Sequence, residues 1–222
     1  TRFPAKALAN LQGEPMIVRT YRSVQSISYF QHVCVATDHP KIFDALEKRS
    51  IPVLMTRKDH KNGTERCAEA LQLLQKDIAW DYLINVQGDV PFITAQHMNP
   101  ILKLLKQKVN IATLFYPMKP NEDVNNPHLV KVVLGKDNKA IYFSRSPIPY
   151  RRNPVHLPYY QHVGVYAYAV QILPKLAGLP LDPIEEAESL EQLRWIANGY
   201  SIHACQTLPL KKEINTPDDL HE

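Results

Sequence analysis

Asp89 is the residue whose setting points most directly to chemistry. It follows the apolar run Tyr82-Leu83-Ile84-Asn85-Val86, behind Gln87-Gly88. A carboxylate presented from a strand tip, with a glycine beside it to admit a phosphate, suits Mg²⁺. The competing reading is an Asp that caps the next helix, and for Asp89 taken alone that is the better reading. A second cluster, His60-Lys61-Asn62-Gly63-Thr64-Glu65-Arg66, lies between a strand and a helix, where backbone N–H groups can face a phosphate. An ordinary helix cap accounts for Asn62, Gly63 and Thr64 equally well. Arg2 and Lys6 are four apart beside Pro4, and in isolation read as a solvated tail. Arg145, after Ile141-Tyr142-Phe143-Ser144, can grip a carboxylate bidentately or form a surface ion pair. Glu188, Glu191 and Gln192 fall at helical spacing on one expected face, fit for sugar hydroxyls or simply for water. His162 opens an apolar strand with Tyr166 and Tyr168 on its face, where a satisfied core histidine is the default.

These residues need elements to place them. Apolar spacing predicts helices over 15–27, 41–49, 64–75, 94–106 and 184–198, with another opening at Thr216-Pro217. Strands are expected over 32–37, 52–55, 82–86, 110–116, 162–168 and 201–207. Residues 129–134 and 139–143 flank Gly135-Lys136-Asp137-Asn138 as a hairpin. Strands alternating with helices predict a largely parallel sheet, which binds ligands beyond the carboxyl ends of its strands. Thr37-Asp38, the 60–66 segment and Gln87-Gly88-Asp89 all fall there.

Composition narrows the functions. A chain of 222 residues, 45% hydrophobic and 22% charged, is an ordinary globular sequence and not a disordered one. The net charge of +4 suits a small anionic ligand and lacks the concentrated stripe a nucleic-acid partner would need. No apolar run reaches bilayer length, so no membrane association is expected. Cys34, Cys67 and Cys205 are odd in number and widely spaced, which points to a reducing cytoplasm. Neither HExxH, GxSxG, a P-loop nor GxGxxG occurs.

Taken in order, the motifs carry more than they do singly. Thr1-Arg2-Phe3-Pro4-Ala5-Lys6-Ala7-Leu8, Val35-Ala36-Thr37-Asp38, His60 to Arg66 and Asn85-Val86-Gln87-Gly88-Asp89 come first. Tyr142-Phe143-Ser144-Arg145-Ser146, His162-Val163-Gly164-Val165-Tyr166, Leu190-Glu191-Gln192-Leu193-Arg194 and Thr216-Pro217-Asp218-Asp219-Leu220 follow. Over essentially its whole length the series resembles the 3-deoxy-manno-octulosonate (Kdo) cytidylyltransferases, the CMP-Kdo synthetases of lipopolysaccharide synthesis. The resemblance implies an α/β, Rossmann-like three-layer nucleotide-diphospho-sugar transferase fold. Its sheet would be mostly parallel and its one domain would carry a small β-rich lobe at about residues 121–168. It further implies that CTP and Kdo give CMP-Kdo and pyrophosphate with Mg²⁺, in a homodimer joined partly through that lobe.

By the same resemblance Arg2 and Lys6 hold the CTP phosphates, with Asn62, Gly63, Thr64 and Gln87 around the nucleotide. Asp89 holds the metal, and Arg145 meets the Kdo carboxylate. His162, Tyr166, Glu188, Glu191 and Gln192 surround the sugar. Three departures stand out. The chain begins inside the leading motif, so a first strand and a phosphate-binding Arg are expected before it. Asn215 stands where the family has a second metal-binding Asp, offering a carbonyl oxygen without charge. Val90 replaces a Glu. Asn215 leaves open a nucleotide- or sugar-binding homologue with impaired catalysis, and a modified sugar such as an amino-Kdo is a further alternative.

Overall fold

The computed structural model describes residues 6–74, 79–153 and 156–210. The chain forms two compact units. Of the described residues, the first takes those up to Ala79, Val86–Met98 and Leu210; the second takes Trp80–Asn85 and Asn99–Pro209.

In the first unit a 3₁₀ turn, Lys6–Leu8, leads into a small antiparallel pair, β1 (Asn10–Leu11) and β2 (Glu14–Pro15). Gln12 and Gly13 both take positive φ between them, as a tight hairpin turn requires. Helix α1 (Met16–Gln25) then buries Ile17, Val18 and Tyr21 against Leu46 and Ile51. Leu46 lies on α2 (Pro40–Glu47), where Pro40 opens the first turn and the His39 side chain accepts from the Lys41 N–H. Strands β3 (Val35–Thr37) and β4 (Val53–Met55) pair in parallel, as βαβ spacing predicts. Helix α3 (Gly63–Leu74) follows.

The second unit holds a six-stranded sheet. β5 (Tyr82–Asn85), β6 (Ile111–Pro117), β7 (Lys131–Leu134), β8 (Ala140–Ser144), β9 (Tyr160–Ala169) and β10 (His203–Gln206) form it. β10 pairs with β6 in parallel, while β9 runs antiparallel to β5, β6 and β7. β5, β6, β7 and β10 therefore share one direction, and β9 and β8 oppose them. Four of the five pairings in this sheet are antiparallel, so it is mixed and not the mostly parallel sheet expected: β9 is inserted among strands of the opposite direction, a reversal that periodicity cannot register. β6 is buried on both faces from Ile111 to Tyr116, which is why it reads as a continuous apolar run rather than an alternating one. Helix α4 (Ala95–Lys106) spans the division between the units, and α5 (Leu173–Ala177) has no counterpart in the sequence reading.

One expected helix is broken. Residues 184–198 form two short helices, α6 (Pro183–Glu188) and α7 (Gln192–Ala197). Ser189 adopts a left-handed conformation at φ 50°, and the Leu190 N–H returns to the Glu185 carbonyl at 3.3 Å. That is a Schellman-type stop, with buried Leu190 tucked in behind it. Glu188 and Glu191 consequently do not share a helix face: one ends α6 and the other precedes α7.

Candidate active site

Asp89 sits in a turn closed by the Val90 N–H on the Gln87 carbonyl. Helix α1 holds that turn through two hydroxyls three residues apart, a spacing that places them on one face. Thr20 Oγ1 donates to the Gly88 carbonyl at 2.9 Å and Ser23 Oγ donates to the Pro91 carbonyl at 2.6 Å. The Cβ absent from Gly88 would lie 3.1 Å from Ile17 Cδ1, so close packing of the α1 side chain also favours a glycine here.

From that turn Asp89 Oδ2 accepts a hydrogen bond from Lys6 Nζ at 2.9 Å, both side chains being 24% exposed. Asp89 Oδ1 is buried and has no hydrogen-bond partner. A buried carboxylate oxygen without a partner is costly, and a hard cation is the kind of ligand that completes it. Asp89 therefore fits a magnesium ion, and it caps no helix, since α4 begins six residues later at Ala95. Among the described residues no three His, Cys, Asp or Glu side chains cluster as a ready-made metal cage. Arg2 and Asn215, expected at the phosphates and the metal, lie outside the described residues, as does the helix expected from Thr216.

The 60–66 segment is tied down by its own carboxylates. Asn62 Oδ1 accepts from the Glu65 N–H at 2.9 Å, and Glu65 Oε2 accepts from the Lys61 N–H at 2.8 Å. These reciprocal bonds cap α3, so the ordinary reading of Asn62 holds for its side chain. Thr64 is fully buried. His60 bonds to Glu69, and that contact draws the Glu69 carboxyl below its usual range. Arg66 reaches Thr56 Oγ1 at 2.5 Å and Asp38 Oδ2 at 3.5 Å. α3 is thus fastened to the carboxyl ends of β3 and β4, where the sequence placed its polar clusters.

In the second unit, β6 and β9 slip register between Thr113 and Leu114, whose partners are Tyr166 and Val163. The bulge brings the His162 and Tyr166 rings to 5.3 Å, where four residues of regular strand would set them about 13 Å apart. Tyr166 also stacks on Tyr168 and meets Trp195 edge-on. Burial pushes the His162 imidazole down to about 3, and its Nε2 bonds Thr113 Oγ1 at 2.9 Å. Thr113 Oγ1 donates onward to the Val165 carbonyl at 2.8 Å, so His162 Nε2 carries the proton. His162 is a neutral, satisfied core histidine. Burial, with the Glu191 charge, raises Tyr166 well above its ordinary range, and its buried hydroxyl lacks a hydrogen-bond partner.

Arg145 is more committed than an open carboxylate clamp. Nε donates to the Glu188 carbonyl at 2.6 Å, Nη2 to the Ser189 carbonyl at 3.2 Å and Nη1 to the Pro127 carbonyl at 2.8 Å. Two of these are the orphan carbonyls at the end of α6, which a guanidinium suits in both hydrogen bonding and charge. Glu188 turns back to the protein as well, accepting from Ser144 Oγ at 2.5 Å and from the Arg145 N–H at 2.9 Å. Its carboxylate is therefore tied to the end of β8 through one bond on each oxygen, which leaves acceptor capacity on both. Gln192, the first residue of α7, is buried. Sequence reasoning passed over Lys131, whose ammonium donates to the Asn126 and Arg145 carbonyls. The signal was a single lysine inside Leu129-Val130-Lys131-Val132-Val133-Leu134.

Residues 1–205 match the cytidylyltransferase family model. A 3-deoxy-manno-octulosonate cytidylyltransferase of Parabacteroides distasonis is 42% identical, covering 100% of this chain and 91% of its own. One from Chlorobium limicola is 40% identical, over 99% and 90%. A solved CMP:2-keto-3-deoxy-manno-octonic acid synthetase complexed with CTP superposes with a TM-score of 0.91 at 35% identity, covering 100% of this chain and 90% of that one. The 4-diphosphocytidyl-2C-methyl-D-erythritol synthase of Anaerococcus prevotii, at TM-score 0.62 and 12% identity over 99% of this chain and 92% of its own, shares the fold.

Proposed function

This chain belongs to the 3-deoxy-manno-octulosonate cytidylyltransferase family of nucleotidyltransferases, and we propose that it transfers CMP from CTP to Kdo, releasing pyrophosphate, for lipopolysaccharide synthesis. The observation that carries the reading is Asp89, paired through Oδ2 with Lys6 while Oδ1 stays buried and open. The sugar's anomeric hydroxyl attacks the α-phosphorus, its proton leaves, and the bond from the α-phosphorus to the bridging oxygen breaks as pyrophosphate departs. Such a reaction depends mainly on alignment and on neutralising charge around phosphorus.

Each residue has a part in that task. Asp89 would hold Mg²⁺, which when bound supplies Lewis-acid neutralisation of the phosphates worth several kcal/mol. Asn215 would add a neutral carbonyl oxygen. The Lys6 ammonium, with Arg2, would neutralise phosphate charge. Asn62 and Thr64 would serve the nucleotide by fixing the start of α3 at Gly63 rather than by their side-chain atoms. Gln87 would contribute from the turn that carries Asp89. Arg145 would meet the sugar carboxylate through its remaining N–H groups. Tyr166, Glu191 and Gln192 would line the sugar, with His162 stiffening the aromatic layer and Glu188 bracing Arg145.

No helix among the described residues is long and apolar enough to cross a membrane. Among the described residues no disulfide joins the cysteines, and burial pushes the Cys34 and Cys205 thiols up to about 11 and about 12, in keeping with a reducing cytoplasm. A homodimer through the β-rich lobe is part of the same reading. The test is pyrophosphate release from CTP and Kdo with Mg²⁺ by the full-length protein, run beside an amino-Kdo. Turnover with Kdo is expected; CTP binding without turnover on either sugar would mark an impaired homologue.

A further inference from the structure

We propose that Lys131 is a positioning residue for the sugar-acid subsite, holding Arg145 through its main-chain carbonyl. The inference rests on the assignment of Arg145 to the sugar carboxylate made above. Lys131 is opposite Ser144 on β8 and opposite Gln161 on β9. Directly paired residues share a sheet face, so these three form one polar row across three strands. All three are buried, Lys131 completely.

A lysine with no exposed surface calls for a physical reason. Removing an ammonium from water costs several kcal/mol unless its protons are bonded. Here the burial lowers the Lys131 pKa, while Asp123 and Glu188 oppose that shift. Its protons go to the Asn126 carbonyl at 3.1 Å and the Arg145 carbonyl at 2.5 Å. Arg145 Nη1 takes the next carbonyl of the same loop, that of Pro127. Lys131 and Arg145 thus grip successive peptide groups, and the lysine also grips the arginine's own backbone, which closes a ring. On the other side Glu188 holds the Arg145 N–H and Ser144.

The ring decides where the guanidinium stands. A guanidinium has five N–H groups. Nε, Nη1 and Nη2 each donate once to a carbonyl, which leaves one N–H on Nη1 and one on Nη2. Two N–H groups can hold a carboxylate only if both are placed to within about half an ångström. A side chain that fixes both the backbone of Arg145 and the loop bonded to its tip has that effect without touching the sugar.

The experiment is two-substrate steady-state kinetics on Lys131→Met, Arg145→Ala and the double variant. Methionine keeps the length and apolar bulk but supplies no donor. The expected result for Lys131→Met is a rise of about tenfold in KM for Kdo, with KM for CTP and kcat within about threefold of the parent. In the Arg145→Ala background the same change should add nothing, because the group it positions is gone. An equal rise in both KM values, or full additivity with Arg145→Ala, would overturn the proposal. Should Lys131→Met not fold, Lys131→Gln, which keeps a shorter amide donor, is read by the same criteria. If Arg145→Ala leaves KM for Kdo unchanged, the carboxylate assignment falls and takes this inference with it. If Arg145→Ala raises that KM and Lys131→Met does not, only the role of Lys131 falls.

Discussion

The two units solve the placing of charge in different ways. In the first, Lys6 and Asp89 meet each other, both keep some access to water, and one carboxylate oxygen has no partner. In the second, Lys131, Glu188 and most of Arg145 are bound into the scaffold through backbone carbonyls, N–H groups and a serine hydroxyl. An ion pair near the surface is worth little and exchanges partners cheaply. Lys131 is fully buried while Arg145 and Glu188 are half-buried, and what holds all three is several hydrogen bonds each, so that breaking one leaves the rest in place. The first arrangement suits groups that must accept a highly charged ligand and release it. The second suits groups that act by standing still, and a sugar acid needs orientation more than neutralisation.

Three substitutions sharpen or break that contrast. Asp89→Ala should lower kcat by at least about a hundredfold if Asp89 holds the metal as proposed, an anchor worth on the order of 2.7 kcal/mol or more in the transition state. Pyrophosphate release under saturating Mg²⁺ measures it, and a loss below about fivefold would mean that Asp89 is merely structural.

His162→Gln probes the immovable side. The folded protein keeps His162 neutral with a pKa of about 3, while the unfolded chain protonates it near 6.5. Its contribution is therefore complete above pH 6.5 and is lost as pH falls towards 3, by up to about 1.4 kcal/mol for each pH unit. The variant should start less stable yet lose stability less steeply between pH 6 and 4. Urea unfolding across that range reads it, and an unchanged slope would show that the imidazole is solvated.

Thr20→Val is the smallest. It leaves the Gly88 carbonyl without its donor at nearly constant volume, for about 1 kcal/mol of stability. Because that carbonyl belongs to the Asp89 turn, kcat should fall several-fold while KM for Kdo stays put; a fall in stability alone would detach the α1 hydroxyls from the site.

Much of this was legible in the residue order, and the failures are local. Parallel β3 and β4 and the helices α1 to α4 follow from period and caps, because burial on one face imposes the pattern directly. The direction of β9 was not legible: a strand buried on both faces has the same composition whichever way it runs. The break at Ser189 was missed because a serine carries no turn signal comparable with glycine, and the left-handed residue there is held by tertiary contacts. At the site, Asp89 and Lys6 were named and are brought together. Glu188 was named for the sugar, and its bonds to Ser144 and the Arg145 N–H were not legible, since spacing gives a face and not a partner. Lys131 was overlooked because one lysine in a strand ordinarily points to water, and only the pairing with Ser144 and Gln161 reveals that it does not.

The contrast between the units is tested most directly by measuring both substrates' KM values for Lys6→Ala and Arg145→Lys side by side. Lysine keeps the charge at 145 but loses the planar fork. The account predicts a crossed result: Lys6→Ala weakens CTP by about tenfold and leaves Kdo within about twofold, and Arg145→Lys does the reverse. Equal losses on both substrates from either variant would contradict it.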